Sequence, residues 1–175
     1  MPLVGTYRGE ALPYYGRLII ADPSLSGSEE ADLGQCVADS EAAIIAGNRW
    51  RVAVKAGQDT LAIAVTIELW DTTPDTAPRA GWEGRRDLTV EFPAGRLAVE
   101  NIAAGPIPLS PGYIEHVSLP AGAGPYHVTA WHRGRDRAAA KVQELWDADE
   151  AGDDIESEYA RLAGLEEYLL RLWPA

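Results

Sequence analysis

Residues 60–70 read Thr-Leu-Ala-Ile-Ala-Val-Thr-Ile-Glu-Leu-Trp, and their alternation decides the fold class. An extended chain turns successive side chains to opposite faces, so Leu61, Ile63, Val65, Ile67 and Leu69 share one face while Thr60, Ala62, Ala64, Thr66 and Glu68 share the other. The first face is a core face and the second a shallow or solvated one. Working outward, Trp50, Val52 and Val54 repeat the pattern against Arg49, Arg51 and Lys55. With Ala56-Gly57-Gln58-Asp59 between them, the two segments are expected to form a hairpin.

Further strands are expected over residues 14–21, 42–46, 87–92, 96–101, 113–119 and 126–132, separated by turn chemistry such as Asp22-Pro23-Ser24, Ala94-Gly95 and the run from Pro120 to Pro125. No helix is expected before residue 136, so many short strands in succession predict an antiparallel sandwich over a βαβ sheet. Ser24–Gly34 and Asp71–Arg86, the latter carrying Trp82, read as long surface loops.

After Arg133 the period changes to that of a helix. Asp136 is a candidate N-cap for the helix-forming sequence from Arg137 to Trp146, with Ala139, Val142 and Trp146 on one stripe. A second helix is expected from Ile155 to Trp173, burying Tyr159, Leu162, Leu165, Leu169 and Leu172, with Gly164 as its weak middle and Pro174 as its stop. The chain is thus predicted to be mainly β: an antiparallel β-sandwich over residues 1–135 and an acidic α-helical extension over 136–175 packed on it.

The negative charge is concentrated in that extension. The net charge is −12, and residues 144–175 carry ten Asp and Glu against only Arg161 and Arg171. A pI near 4.6 disfavours DNA, RNA and anionic lipid as partners, because binding them would release no counterions, and favours a basic protein. The opening residues lack the features of a secretory signal and no apolar run reaches the ~18 residues of a membrane span, so a cytoplasmic protein is expected. Two Lys against thirteen Arg, with six Trp, suit a high-GC bacterial source. Cys36 is alone, which excludes an internal disulfide and suits a small buried apolar residue.

Residues 147–158 place Asp147, Asp149, Gly152 and Glu158 at positions one, three, six and twelve of a calcium loop, but Ala151 stands where the fifth-position ligand belongs and Asp154 where an apolar residue does. The alternative is a solvated acidic loop, or a carboxylate patch that imitates a row of phosphates for a basic protein. His116, His127 and His132 show no metal-binding spacing. The basic run from His132 to Arg137 is expected to pair with the acidic tail, and Arg85 and Arg86 with Glu83 or Asp87. The serines include no nucleophile elbow, and the adjacent pairs Glu29-Glu30 and Glu166-Glu167 suit solvation better than acid/base partnership. No catalytic residue and no cofactor is assigned.

Three segments carry a family resemblance: ALPYYGRLIIAD at 11–22, RWRVAVKAGQDTLAIAVTIELWD at 49–71 and SPGYIEHVSLPAGAGPYHVTAWHRG at 110–134. Together they resemble the competence protein J, or DNA-entry nuclease inhibitor-like, family over roughly residues 10–133. The resemblance implies an all-β domain and an immunity-type partner of a nuclease with no catalysis of its own; the longer loops and the tail after Asp136 depart from it.

The expected function is a non-catalytic inhibitory protein that meets a basic partner, such as a nuclease or toxin, through Glu144, Asp147, Asp149, Glu150, Asp153, Asp154, Glu156, Glu158 and Trp82. Two rivals remain: a weak calcium-binding module using Asp147, Asp149 and Glu158, and a small enzyme with a site assembled near Trp82, His116 and His132.

Overall fold

The computed structural model describes residues 2–26, 33–75, 77, 80–149 and 155–175. Eleven strands are described: β1 (Leu3–Ala11), β2 (Arg17–Ala21), β3 (Ile45–Gly47), β4 (Arg51–Lys55), β5 (Ile63–Trp70), β6 (Glu83–Phe92), β7 (Arg96–Asn101), β8 (Gly105–Pro106), β9 (Val117–Ser118), β10 (Gly124–Arg133) and β11 (Glu167–Pro174). Helices α1 (Leu33–Ala43), α2 (Arg135–Asp149) and α3 (Ile155–Leu162) interrupt them. One sheet runs β1-β5-β11-β10-β6 and the other β3-β4-β2-β7-β8, with β9 also on β7. The fold is mainly β, as the alternation predicts.

The inner faces of the two sheets close one apolar core. Leu18, Ile20, Val52, Val54, Leu97 and Val99 meet Ile63, Val65, Ile67, Leu69, Val90, Phe92, Tyr126, Tyr168, Leu170 and Leu172. A strap from β8 to β9 shuts one lateral opening: Arg8 and Ser110 exchange backbone hydrogen bonds, so β7 of one sheet is joined to β1 of the other. Gly9 permits this approach, because a Cβ there would stand 2.8 Å from the Leu109 side chain. Helix α1 covers the outer face of the second sheet, where Cys36, Leu33 and Val37 pack on Ile19, Ala21 and Ala53.

Several expectations are overturned. Residues 167–174 form a strand and no helix: α3 stops at Leu162, Gly164 adopts φ +74 and β11 enters the middle of the first sheet. It pairs in parallel with β5, so that sheet is mixed. Tyr168, Leu170 and Leu172 face the core while Leu169 and Arg171 are buried on the opposite face. A strand buried on both sides has no polar alternation to betray it. A helix, α1, does precede residue 136 and takes up the expected strand over 42–46 as far as Ala43. Segments β4 and β5 form no hairpin, since the chain leaves one sheet at Lys55 and joins the other at Ile63. Arg51, expected in solvent, is buried and donates to the Leu25 carbonyl. Strand β1 was not expected at all.

Candidate functional site

Helices α2 and α3 form an acidic hairpin seated at one end of the sandwich. Val142, Leu145, Tyr159, Leu162 and Leu165 pack on Leu61, just ahead of β5. This seat is braced by a buried carboxylate. Glu166 accepts from the Gly57 amide at 2.9 Å and from the Tyr168 hydroxyl at 2.5 Å, with Arg135 Nε 3.7 Å away at the start of α2. A buried acid is retained only where donors surround it. Burial, with the Glu166 charge beside it, pushes the Tyr168 phenol far above its usual range. Glu166 and Glu167, expected to be solvated, are therefore structural: Glu167 meets Arg133 at 2.7 Å.

Turned outward on α2 are Glu144 and Asp147, both exposed. Glu144 pairs with Lys141, and Asp147 accepts from the Gln143 amide at 2.9 Å. On α3, Glu156 is exposed and Glu158 is held by Arg161 at 2.6 Å; that hydrogen bond lowers the Glu158 carboxyl below its ordinary value. Asp149, through its side chain, and Glu150, Asp153 and Asp154 lie outside the described residues, as does most of the candidate calcium loop. Among the described residues no group of three metal-ligating side chains converges.

Trp82 does not join these acids. It is half-buried beneath the Arg133 guanidinium, 4.7 Å from its ring, next to the start of α2. Twelve residues of helix separate Arg135 from Asp147, about 18 Å along the axis. The aromatic beside the acids is instead Trp146, which the helical stripe had assigned to the core. The face α2 buries is Ala138, Val142 and Leu145, and Trp146, one residue further round, is 51% exposed between Glu144 and Asp147. Tyr15, 71% exposed, was also missed.

The histidines do not assemble a site. His116 is exposed beside β9 on the strap side, whereas His132 is buried near Ile44, Ile45 and Gly84 on the opposite side of the sandwich. Burial, then the Arg135 charge, lowers the His132 imidazole, with Glu83 Oε2 3.9 Å from Nδ1. His127 faces out and stacks near Trp173. The expected local pairing of basic residues is seen in Arg85–Asp87 at 3.0 Å. Cys36 is buried, its thiol raised by that burial, as a small apolar residue would be.

The fold these elements define is a two-sheet sandwich, here with a lateral strap and an acidic helical hairpin on one end. The overall fold is similar to that of two solved structures. One is ComJ from Bacillus subtilis, described as an inhibitor of the DNA degrading activity of NucA, at a TM-score of 0.56 and 10% identity over 99% of this chain and 98% of that one. The other is the crocagin biosynthetic gene J product, at a TM-score of 0.54 and 14% identity over 98% and 99%. At such identities the likeness shows the fold, and it agrees with the resemblance drawn from the sequence. No family model and no curated protein matches. No described helix is long and apolar enough to cross a membrane.

Proposed function

We propose that this chain is a non-catalytic, immunity-like inhibitor that engages a basic protein, such as a DNA-degrading nuclease, through the outer face of the α2–α3 hairpin. The observation that carries the reading is Trp146, an indole 51% exposed on α2, the helix that also exposes Glu144 and Asp147. An exposed Trp on a helix that also presents carboxylates has the composition of an interface hot spot: the ring supplies buried area and the carboxylates steer a cationic partner. The sandwich shared with ComJ, itself described as a nuclease inhibitor, supports the same direction. By the same reading Asp149, Glu150, Asp153, Asp154, Glu156 and Glu158 extend the anionic surface, and Trp82 at the far end of α2 lies outside its centre.

The test titrates the chain into a DNA-degradation assay with a basic nuclease encoded beside it in its genome. Reversing Asp147, Asp149, Asp153 and Asp154 to Lys should lower the association rate by about tenfold or more at low salt and flatten its salt dependence. Trp146→Ala should cost binding about 2 kcal/mol while changing folding stability by less than ~0.5 kcal/mol. Inhibition that survives both changes removes the hairpin from the interface.

A further inference from the structure

We propose that the cleft between α1, α2 and residues 55–59 is a binding site for a small organic anion, an oxyanion carried on a flat apolar ring. The cleft shares Trp146 with the protein–protein reading above, but its cationic floor of Arg17 and Lys55 does not depend on a partner. The cleft has a volume of about 540 Å³, within the range of small-molecule sites. Its walls are mixed: Tyr15 on one lip, Ala139, Val142, Gln143 and Trp146 along α2 on the other, with Gln58 and Asp59 between. Its floor is cationic. Arg17 from β2 and Lys55 from β4 converge there, and a single carboxylate, Glu41 of α1, serves both, in contact with Arg17 and 3.8 Å from Lys55 Nζ.

Three observations separate this cleft from an ordinary surface ion pair. Two partly buried cations share the half-exposed carboxylate of Glu41, their side chains 19% and 28% exposed against 49% for Glu41, with Asp59 the other acid on the lining. The Arg17 Nε is buried with no hydrogen-bond partner, and the Lys55 ammonium is disfavoured by burial and then by the charges of Arg17 and Arg135, against which Asp59 acts only weakly. Finally, Tyr15 adopts φ +57, a left-handed backbone that costs a non-glycine residue about 1 kcal/mol, and that backbone holds a ring 71% exposed over the cleft. The exposed rings of Tyr15 and Trp146 on the lining would take the two faces of a planar ligand. Glu41 then acts as a resident stand-in, and the ligand's oxyanion takes its place on Arg17 and Lys55 in charge-assisted hydrogen bonds.

Calorimetric titration with 2-naphthoate and with phenyl phosphate distinguishes a carboxylate from a phosphate source, with 2-naphthalenemethanol as the neutral control. At least one anion should saturate the wild-type protein. Its affinity should fall about tenfold or more in Lys55→Gln and in Arg17→Gln, and rise about fivefold or more in Glu41→Gln, where the internal competitor is gone. Quenching of tryptophan fluorescence on binding should disappear in Trp146→Phe. Unchanged far-ultraviolet circular dichroism verifies folding, and Lys55→Gln alone decides the matter should Arg17→Gln fail to fold. The proposal is overturned if neither anion saturates wild type or Glu41→Gln at millimolar concentration, if the neutral alcohol binds equally well, or if removing Lys55 leaves affinity unchanged.

Discussion

Replacing Arg171 with Met should be among the most damaging single changes in this protein. Arg171 lies on the outer face of the first sheet, in register with Glu68 on β5 and Thr129 on β10. Its Nε meets Glu68 Oε2 at 2.8 Å, with the two side chains 6% and 5% exposed. The guanidinium also donates to the Asp75 carbonyl and lies 5.1 Å from the Trp131 ring. Removing one partner of a buried ion pair leaves the other charge desolvated and costs about 3–5 kcal/mol. The lost hydrogen bond to Asp75 adds about 1 kcal/mol. The sum, ~4–6 kcal/mol, is a large share of a total stability of about 5–15 kcal/mol and corresponds to a melting shift of roughly 10–20 °C. Urea denaturation followed by circular dichroism measures it. The decisive comparison is a double-mutant cycle, because Glu68→Leu with Arg171→Met puts apolar groups where both charges were. The double variant should return to within about 1–2 kcal/mol of wild type, giving a coupling of at least ~2 kcal/mol. Single variants costing less than ~1 kcal/mol, or effects additive within ~0.5 kcal/mol, would refute the reasoning.

Two further outcomes follow from the same geometry. Since the folded-state pKa of His132 lies below its unfolded value near 6.5, the unfolded chain binds the extra proton as pH falls, so the stability contribution is present well above pH ~6.5 and is lost as pH falls through ~6.5. His132→Gln should flatten that segment of the stability profile; an equal slope in the variant would acquit His132. Gly134 has φ +75 and stands so close to β11's approach that an added Cβ would lie 2.1 Å from the Leu165 carbonyl oxygen. Gly134→Ala should therefore cost more than ~2 kcal/mol in thermal or urea unfolding, and a cost below ~0.5 kcal/mol would show that the loop yields freely.

How much of this was legible depended on whether an element had one wet face. Strand β5 announced itself through Leu61 to Leu69, although its opposite face also proved covered, with Ala64 and Glu68 buried. Strand β11 reads as helix from sequence because Tyr168, Leu169, Leu170 and Leu172 are apolar at both periods, and only Gly164 marks the break. Strand β1 hid its pattern behind Gly5 and Gly9, which leave gaps where apolar side chains would alternate. Trp146 shows a related effect: the stripe through Ala139, Val142 and Trp146 does share one face, but that face lines an open cleft at its far end while Val142 and Leu145 meet the seat on Leu61, so the indole stays 51% exposed. The cleft of Arg17, Glu41 and Lys55 gathers residues from β2, α1 and β4, and no local pattern joins positions so far apart.

By itself the chain determined a mainly β fold, a helical turn after Arg133, a concentration of carboxylates near its end and a buried lone thiol, because each rests on local periodicity or composition. Only the tertiary structure decided that the last strand belongs at the centre of a sheet, which arginines neutralise which acids, and which aromatic rings stay in water. Those outcomes depend on which surfaces meet after the chain folds back on itself. The buried tie of Glu166 to Gly57, Tyr168 and Arg135 joins residues separated by up to 109 positions, a contact that no window of sequence contains.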